Sequence, residues 1–251
     1  CVGAGFSGAV IARELAEAGY EVTVIDKRDH IAGNAYDYVN DIGIRVHKYG
    51  PHLWHTNNEE AHKWFGKFTE FVPYKHVVRA LLENGKTTPL PINLNTLRDI
   101  FGNEVVNEPL LRIIDGRKNS IDQLNVADLF LDSIKTPLDG EPKNSREHIE
   151  SSVGKKLTEL FFAPYTKKMW GMDLSELPVS VAARIPTKND QDPYYFPNDK
   201  FQGMPVDGYT KAFEKMFDHE NITVILNTDR EEYLKASGIK FEHIFTAEPI
   251  D

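Results

Sequence analysis

An α/β architecture with a helical insertion is what this sequence predicts, and three observations predict it. A glycine-rich turn, Gly3-Ala4-Gly5-Phe6-Ser7-Gly8, stands between a strand stub and a helical pattern. A β-branched strand, Glu21 to Ile25, follows and ends on an acid, Asp26. The α/β pattern then returns near the end of the chain, after a long, mostly helical stretch. Strand, helix and parallel strand make a right-handed crossover unit. The Gly-x-Gly-x-x-Gly spacing within that unit marks a Rossmann-like dinucleotide-binding domain.

Each element follows from local chemistry. Cys1-Val2 is the stub of the first strand. Ala9 to Ala18 reads as a small-residue helix with an apolar stripe at Val10, Ile11 and Leu15, and Gly19 suits its C-terminal end. Residues 27–56 are punctuated by Gly33, Gly43, Gly50 and Pro51 and read as loop-rich. Glu59 to Phe68 reads as helix. Val77 to Leu82 and the segment to Leu90 read as a hairpin around Asn84-Gly85. Asn95 or Thr96 suits the cap of a helix through Phe101. Further helical patterns cover Val126–Ile134, Ser145–Val153 and Lys155–Lys168. From 172 to 208, Pro, Asp, Asn and Gly point to extended or mobile backbone. Tyr209–Phe217 reads as helix, with strands at Ile222–Leu226 and His243–Thr246. The expected organisation is a dinucleotide-binding α/β domain from 1–75 and 201–251, a sheet and loop region from 76–92 and 172–200, and a helical domain from 93–171.

Composition narrows the function. The formal net charge is −9, which argues against a general nucleic-acid binder, since phosphate recognition needs a basic face. No apolar run of about 18 residues is present to span a membrane. The single cysteine, Cys1, leaves no internal disulfide and no cysteine metal cluster, which suits a reducing cytosol. The abrupt start at the fingerprint and the stop at Asp251 lead us to expect a fragment cut at both ends.

In the fingerprint, Gly3 permits the tight turn, Gly5 lets backbone N–H groups approach a pyrophosphate, and Gly8 lets helix and strand pack closely. Phe6 and Ser7 open the helix, whose free N–H groups and positive dipole end favour an anion. Asp26 is placed to accept hydrogen bonds from an adenosine ribose. Asp26-Lys27-Arg28-Asp29-His30-Ile31-Ala32-Gly33-Asn34 resembles the extended FAD motif of glutathione-reductase-type and amine-oxidase-type flavoproteins. There an acid is followed by basic residues and a Gly-Gly pair. Ala32 stands where the first Gly of the pair is usual, and an ordinary backbone conformation is expected of it. Phe245-Thr246-Ala247 resembles the second strand motif of the same proteins.

Longer segments carry a more specific resemblance. His47-Lys48-Tyr49-Gly50-Pro51-His52-Leu53-Trp54-His55-Thr56, Leu90-Pro91-Ile92-Asn93-Leu94-Asn95-Thr96, Tyr165-Thr166-Lys167-Lys168-Met169-Trp170-Gly171, Arg184-Ile185-Pro186 and Phe201-Gln202-Gly203-Met204-Pro205 together resemble the bacterial UDP-galactopyranose mutase family, in order and over nearly the whole chain. The resemblance implies a flavin-dependent isomerase converting UDP-galactopyranose to UDP-galactofuranose. Reduced FAD supplies a nucleophilic N5 that attacks the sugar's anomeric carbon. It further implies FAD contacts from Gly3, Gly5, Phe6, Ser7, Gly8, Asp26, Lys27, Asn34, Pro51 and His52, with His52 beside N5. Arg184 is implied on a loop closing over the diphosphate, a task suited to its bidentate fork. His76, Phe161, Tyr165, Thr166, Trp170 and Tyr195 are implied around the nucleotide sugar. A cytoplasmic homodimer is the implied assembly.

Blander readings stand beside these. His52 also fits a structural histidine bonded to backbone. Phe161 and Tyr165, at i and i+4, also fit core packing, and Arg184 also fits a solvated surface. A zinc site at His47, His52 and His55 lacks a completing acid, and Gly50-Pro51 breaks any helix there, so no metal is expected. The competing function is an FAD-dependent oxidoreductase of the amine-oxidase type, which would use the same fingerprint.

Overall fold

In the computed structural model, residues 1–116, 125–182 and 187–248 are described. They divide into two compact units, one of residues 1–75 with 198–251 and one of residues 76–197.

The first unit begins on the glycine turn. Gly5 caps α1 (Phe6–Glu17), which starts three residues earlier than its apolar stripe indicates because the turn itself supplies the first helical residues. Gly19, at φ +92°, receives the chain beyond α1, its N–H donating to the Ala16 carbonyl. Next comes β1 (Val22–Ile25). The stretch read as loop-rich holds three short strands, β2 (Asp37–Val39), β3 (Arg45–His47) and β4 (Trp54–Thr56). α2 (Glu59–Phe65), capped by Asn58, and β5 (Phe71–Pro73) close this part.

The second unit opens with the expected hairpin, β6 (Val78–Leu81) and β7 (Thr87–Leu90). Next is α3 (Leu94–Phe101). Its cap is Asn93 rather than Asn95 or Thr96, with Thr96 returning a bond to the Asn93 N–H in a capping box. α4 (Asn103–Gly116) contains Pro109 and was not legible as a helix. α5 (Val126–Ile134) has the expected bounds. α6 (Ser145–Leu157) kinks at Gly154 and passes through a π-type segment, Thr158–Phe162, into α7 (Ala163–Trp170). The kink has a cause: Gly154 sits at φ +78° and packs against the Ile134 carbonyl, where a Cβ would lie 2.2 Å from the oxygen. A short turn, α8 (Val179–Ala182), lies in the segment expected to be extended. Ile92, Leu97, Phe130, Val153, Leu157 and Leu174 form this unit's core.

The chain then returns to the first unit with β8 (Phe201–Pro205), α9 (Tyr209–Phe217), β9 (Ile222–Ile225) and α10 (Arg230–Ser237). β1 pairs in parallel with β9. Val2 bridges Ile25 on one side and Thr246 on the other, both in parallel. The expected strand at His243–Thr246 is thus reduced to that bridge. β8 lies between β4 and β5. α1 presents Ala9, Ala12 and Ala16, all buried, to a core shared with Phe65, Tyr209, Phe213 and Met216. The small side chains let helix and sheet approach closely, and that approach fixes where the glycine turn sits.

Candidate dinucleotide-binding site

A cavity of about 470 Å³ opens at the start of α1. Gly3, Gly5, Phe6, Ser7, Asp26, Lys27, Asn34 and His52 all line it. Gly8 and Pro51 are not among its lining residues. Gly8 instead lies against the turn, where a Cβ would meet the Gly3 carbonyl oxygen at 1.9 Å. At Gly5 a Cβ would make only ordinary contact, 3.7 Å from the Gly33 Cα. Helices α2, α3, α5, α6 and α10 each begin with an Asn or Asp side chain bonded to their first N–H groups. α1 has no such cap and no acid in its first turn. Its first N–H groups and dipole end therefore suit an anion in the cavity. This fits a dinucleotide pyrophosphate.

Asp26 has a task within the protein itself. Its Oδ2 accepts from the Ala4 N–H at 2.8 Å and its Oδ1 from the Arg28 N–H at 2.9 Å. The carboxylate ties the glycine turn to the end of β1 and keeps further lone pairs able to accept. Arg28 joins the site: it lines the cavity, donates to the Asn34 Oδ1 at 2.9 Å and lies 4.7 Å over the Tyr49 ring. Ala32 departs from expectation. Its φ is +71°, a left-handed conformation despite its Cβ. Full burial and the bond from its N–H to the Ala4 carbonyl hold it there, at a cost of about 1 kcal/mol. Gly33, at φ +55°, packs so tightly that a Cβ would lie 2.9 Å from the Gly5 Cα. Thr228, Asp229, Arg230 and Glu248 also line it, and sequence reasoning missed them. They lie far along the chain from the fingerprint, the first three beside the Thr228 N–H that donates to the Asp26 carbonyl at 3.0 Å and Glu248 beside the Ala247 N–H that donates to the Val2 carbonyl at 2.8 Å.

The histidine segment borders the same cavity through His52. Its Nδ1 lies 3.2 Å from the Gly50 carbonyl. A carbonyl only accepts, so Nδ1 carries the proton in this contact, and in the neutral ring the lone pair lies on Nε2. The His52 N–H donates to the His47 Nδ1 at 3.2 Å. Both imidazoles meet the Tyr209 ring edge-on, at 6.0 and 6.2 Å. Burial pushes the Tyr209 phenol well above its usual range, with the nearby Asp37 charge adding to this. His55 is turned to another task, with its Nδ1 2.7 Å from the Asp199 carboxylate.

The second unit carries the other implied residues. His76 and Tyr195 come together: the Tyr195 N–H donates to the His76 carbonyl at 2.8 Å, and their rings lie 5.9 Å apart. Burial raises the Tyr195 phenol and the Tyr165 charge adds to it, which places Tyr165 in the same neighbourhood. Burial lowers the His76 imidazole. Tyr165 and Trp170 on α7 are 58% and 51% exposed, open to a ligand. Thr166, between them, is 5% exposed, and Phe161 is partly buried against the unit's core. Arg146 braces this region, bonding Glu150, Glu159 and Asp173. These bonds raise Arg146 above its ordinary value. Asp173 is held far below the carboxylate range, first by Ser175 and then by Arg146. Arg184 lies outside the described residues.

The first unit is therefore a dinucleotide-binding α/β fold, and residues 1–68 match the NAD(P)-binding Rossmann-like domain family. Residues 160–251 match the UDP-galactopyranose mutase family. The whole chain is 41% identical over 251 residues to a probable UDP-galactopyranose mutase of Klebsiella pneumoniae, spanning 60% of that protein. It is 36% identical over 255 residues to the dTDP-fucopyranose mutase of Escherichia coli, spanning 62% of it. A crystal structure of reduced UDP-galactopyranose mutase superposes with a TM-score of 0.59 at 14% identity, over 89% of this chain and 47% of that one; at that identity the likeness concerns the fold. The chain spans about 60% of the relatives it matches throughout. In sequence it is similar to the UDP-galactopyranose mutases.

Proposed function

We propose that this chain carries the flavin-binding part and much of the nucleotide-sugar-binding part of a flavin-dependent isomerase that interconverts UDP-galactopyranose and UDP-galactofuranose. The observation that carries this reading is the match to a probable mutase at 41% identity along the entire chain. When bound and reduced, the flavin supplies the nucleophilic N5 that displaces the nucleotide from the anomeric carbon. The start of α1 holds the pyrophosphate, and Asp26 holds the ribose. His52, with Nδ1 committed to Gly50, offers Nε2 to accept or share a proton beside the ring. Tyr165, Trp170, Tyr195 and His76 receive the nucleotide and sugar, aromatic faces stacking on the base. Arg184 binds the diphosphate. The proposed enzyme is a cytoplasmic homodimer. Among the described residues, no helix is long and apolar enough to cross a membrane.

A second substrate has specific support, since a dTDP-fucopyranose mutase is 36% identical over the same length. One experiment separates these readings. The full-length protein, with and without dithionite, is incubated with UDP-galactofuranose or dTDP-fucofuranose, and the products are resolved by chromatography. Conversion of the UDP-sugar to its pyranose form only after reduction is the expected result. Exclusive turnover of the dTDP-sugar would move the substrate. Amine-dependent oxygen uptake with no isomerisation would sink the proposal.

A further inference from the structure

We propose that His47 is a positioning residue: its imidazole is the acceptor that seats the backbone of His52 at the dinucleotide cavity. The geometry defines the required state. The His52 N–H points to the His47 Nδ1 at 3.2 Å, so that nitrogen must be unprotonated and the ring's one proton sits on Nε2. A second proton could only add to Nδ1, the place the His52 N–H occupies. Protonation of His47 and seating of His52 are therefore mutually exclusive.

The surroundings keep His47 neutral. It ends β3 directly opposite Asp37 of β2. The Asp37 side chain is fully buried, and its carboxylate is already engaged. Its oxygens accept from the Tyr209 and Thr210 N–H groups at 2.9 and 2.8 Å, capping α9, and Arg45 lies 3.5 Å away. Burial lowers the His47 imidazole, and Asp37 opposes this while His52 and Arg45 reinforce it. Tyr209, its phenol held neutral, packs edge-on against both histidine rings. The chain between the two histidines, Lys48-Tyr49-Gly50-Pro51, turns through Gly50 at φ +96°. His47 thus anchors a short exposed turn that leads into His52, which lines the cavity.

The link to the cofactor rests on the flavin reading above; the hydrogen bond itself does not. The test uses full-length protein labelled with 15N-histidine, flavin-free and with reduced flavin. The protection factor of the His52 amide should fall about tenfold between pH 7.5 and pH 5.5, the size of one lost hydrogen bond. His47→Asn keeps an acceptor in the place of Nδ1 but cannot gain a proton, so protection should persist at both pH values. His47→Leu keeps the bulk without the acceptor, and protection should be low at both. Equal protection in all three proteins at both pH values would overturn the proposal. The flavin midpoint potential should shift in His47→Leu and return in His47→Asn. Amide changes without any change in potential would uphold the hydrogen-bond role while removing the flavin from this cavity.

Discussion

Gly8→Ala and Gly5→Ala are the same chemical change three residues apart, and the structure assigns them opposite outcomes. At Gly8 the new methyl would sit 1.9 Å from the Gly3 carbonyl oxygen. Ordinary contact begins near 3.4 Å, so helix and turn must separate by roughly 1.5 Å. Both partners are main chain, and neither can swing aside. A retreat of α1 would pull Ala9, Ala12 and Ala16 away from the core in which they are buried. The cost should reach about 3 kcal/mol, the upper range for overpacking. This corresponds to a melting temperature lower by roughly 6–12 °C for a domain of this size. At Gly5 the backbone is extended at φ −85° and a Cβ would make only ordinary contact, 3.7 Å from the Gly33 Cα. Alanine there should change stability by less than about 1 kcal/mol, the gain through the unfolded state being offset by a poorer N-cap for α1. It should still lower flavin occupancy, because the methyl stands on the face of the turn proposed to take the pyrophosphate. Thermal melts and flavin absorbance of the two full-length variants make the test. A Gly8→Ala protein that melts within about 2 °C of wild type with flavin bound would refute the packing argument. So would a Gly5→Ala protein that is itself unstable.

Three further outcomes follow from other contacts. Asp37→Ala should cost about 3 kcal/mol, because it uncaps α9 and leaves Arg45 without its carboxylate; Asp37→Asn, keeping one acceptor, should cost less, and equal denaturation midpoints for the two would contradict this. Gly154→Ala combines a left-handed backbone with a Cβ 2.2 Å from the Ile134 carbonyl oxygen, so a loss of about 3 kcal/mol is expected, and chemical denaturation showing under about 1 kcal/mol would count against it. His47 and His76 are both pulled below their ordinary 6.5 by burial. The unfolded chain therefore takes up protons first as pH falls, and stability is complete above about 6.5 and declines below it. Denaturation midpoints at pH 7.5 and 5.5 should show that loss, smaller in the His47→Asn, His76→Asn double variant; a midpoint that rises in acid would reverse the sign.

What the sequence determined by itself was local. The glycine spacing, the amphipathic helices at Val126–Ile134 and Tyr209–Phe217, and the Asn84-Gly85 hairpin each depend on residues a few positions apart, so their signals survive in one dimension. Elements whose cause lies elsewhere were not legible. β2, β3 and β4 have three residues each, too few for a period, and β4 exists because β8, far along the chain, pairs with it. α10 has no buried residue and so no apolar stripe to read. α4 continues through Pro109, which locally signals a break. The left-handed Ala32 broke a residue-level rule because burial and one long-range hydrogen bond outweighed its preference. The candidate site divides in the same way. Gly3 to Gly8 and Asp26 announce a phosphate-binding turn in sequence. Tertiary structure alone decided that Thr228 to Arg230 close that cavity and that Asp37 caps a helix 172 residues away. It also decided that His47, one histidine among 9, is the one bonded to the His52 backbone. Such roles depend on which groups folding buries together, and no spacing along the chain encodes that.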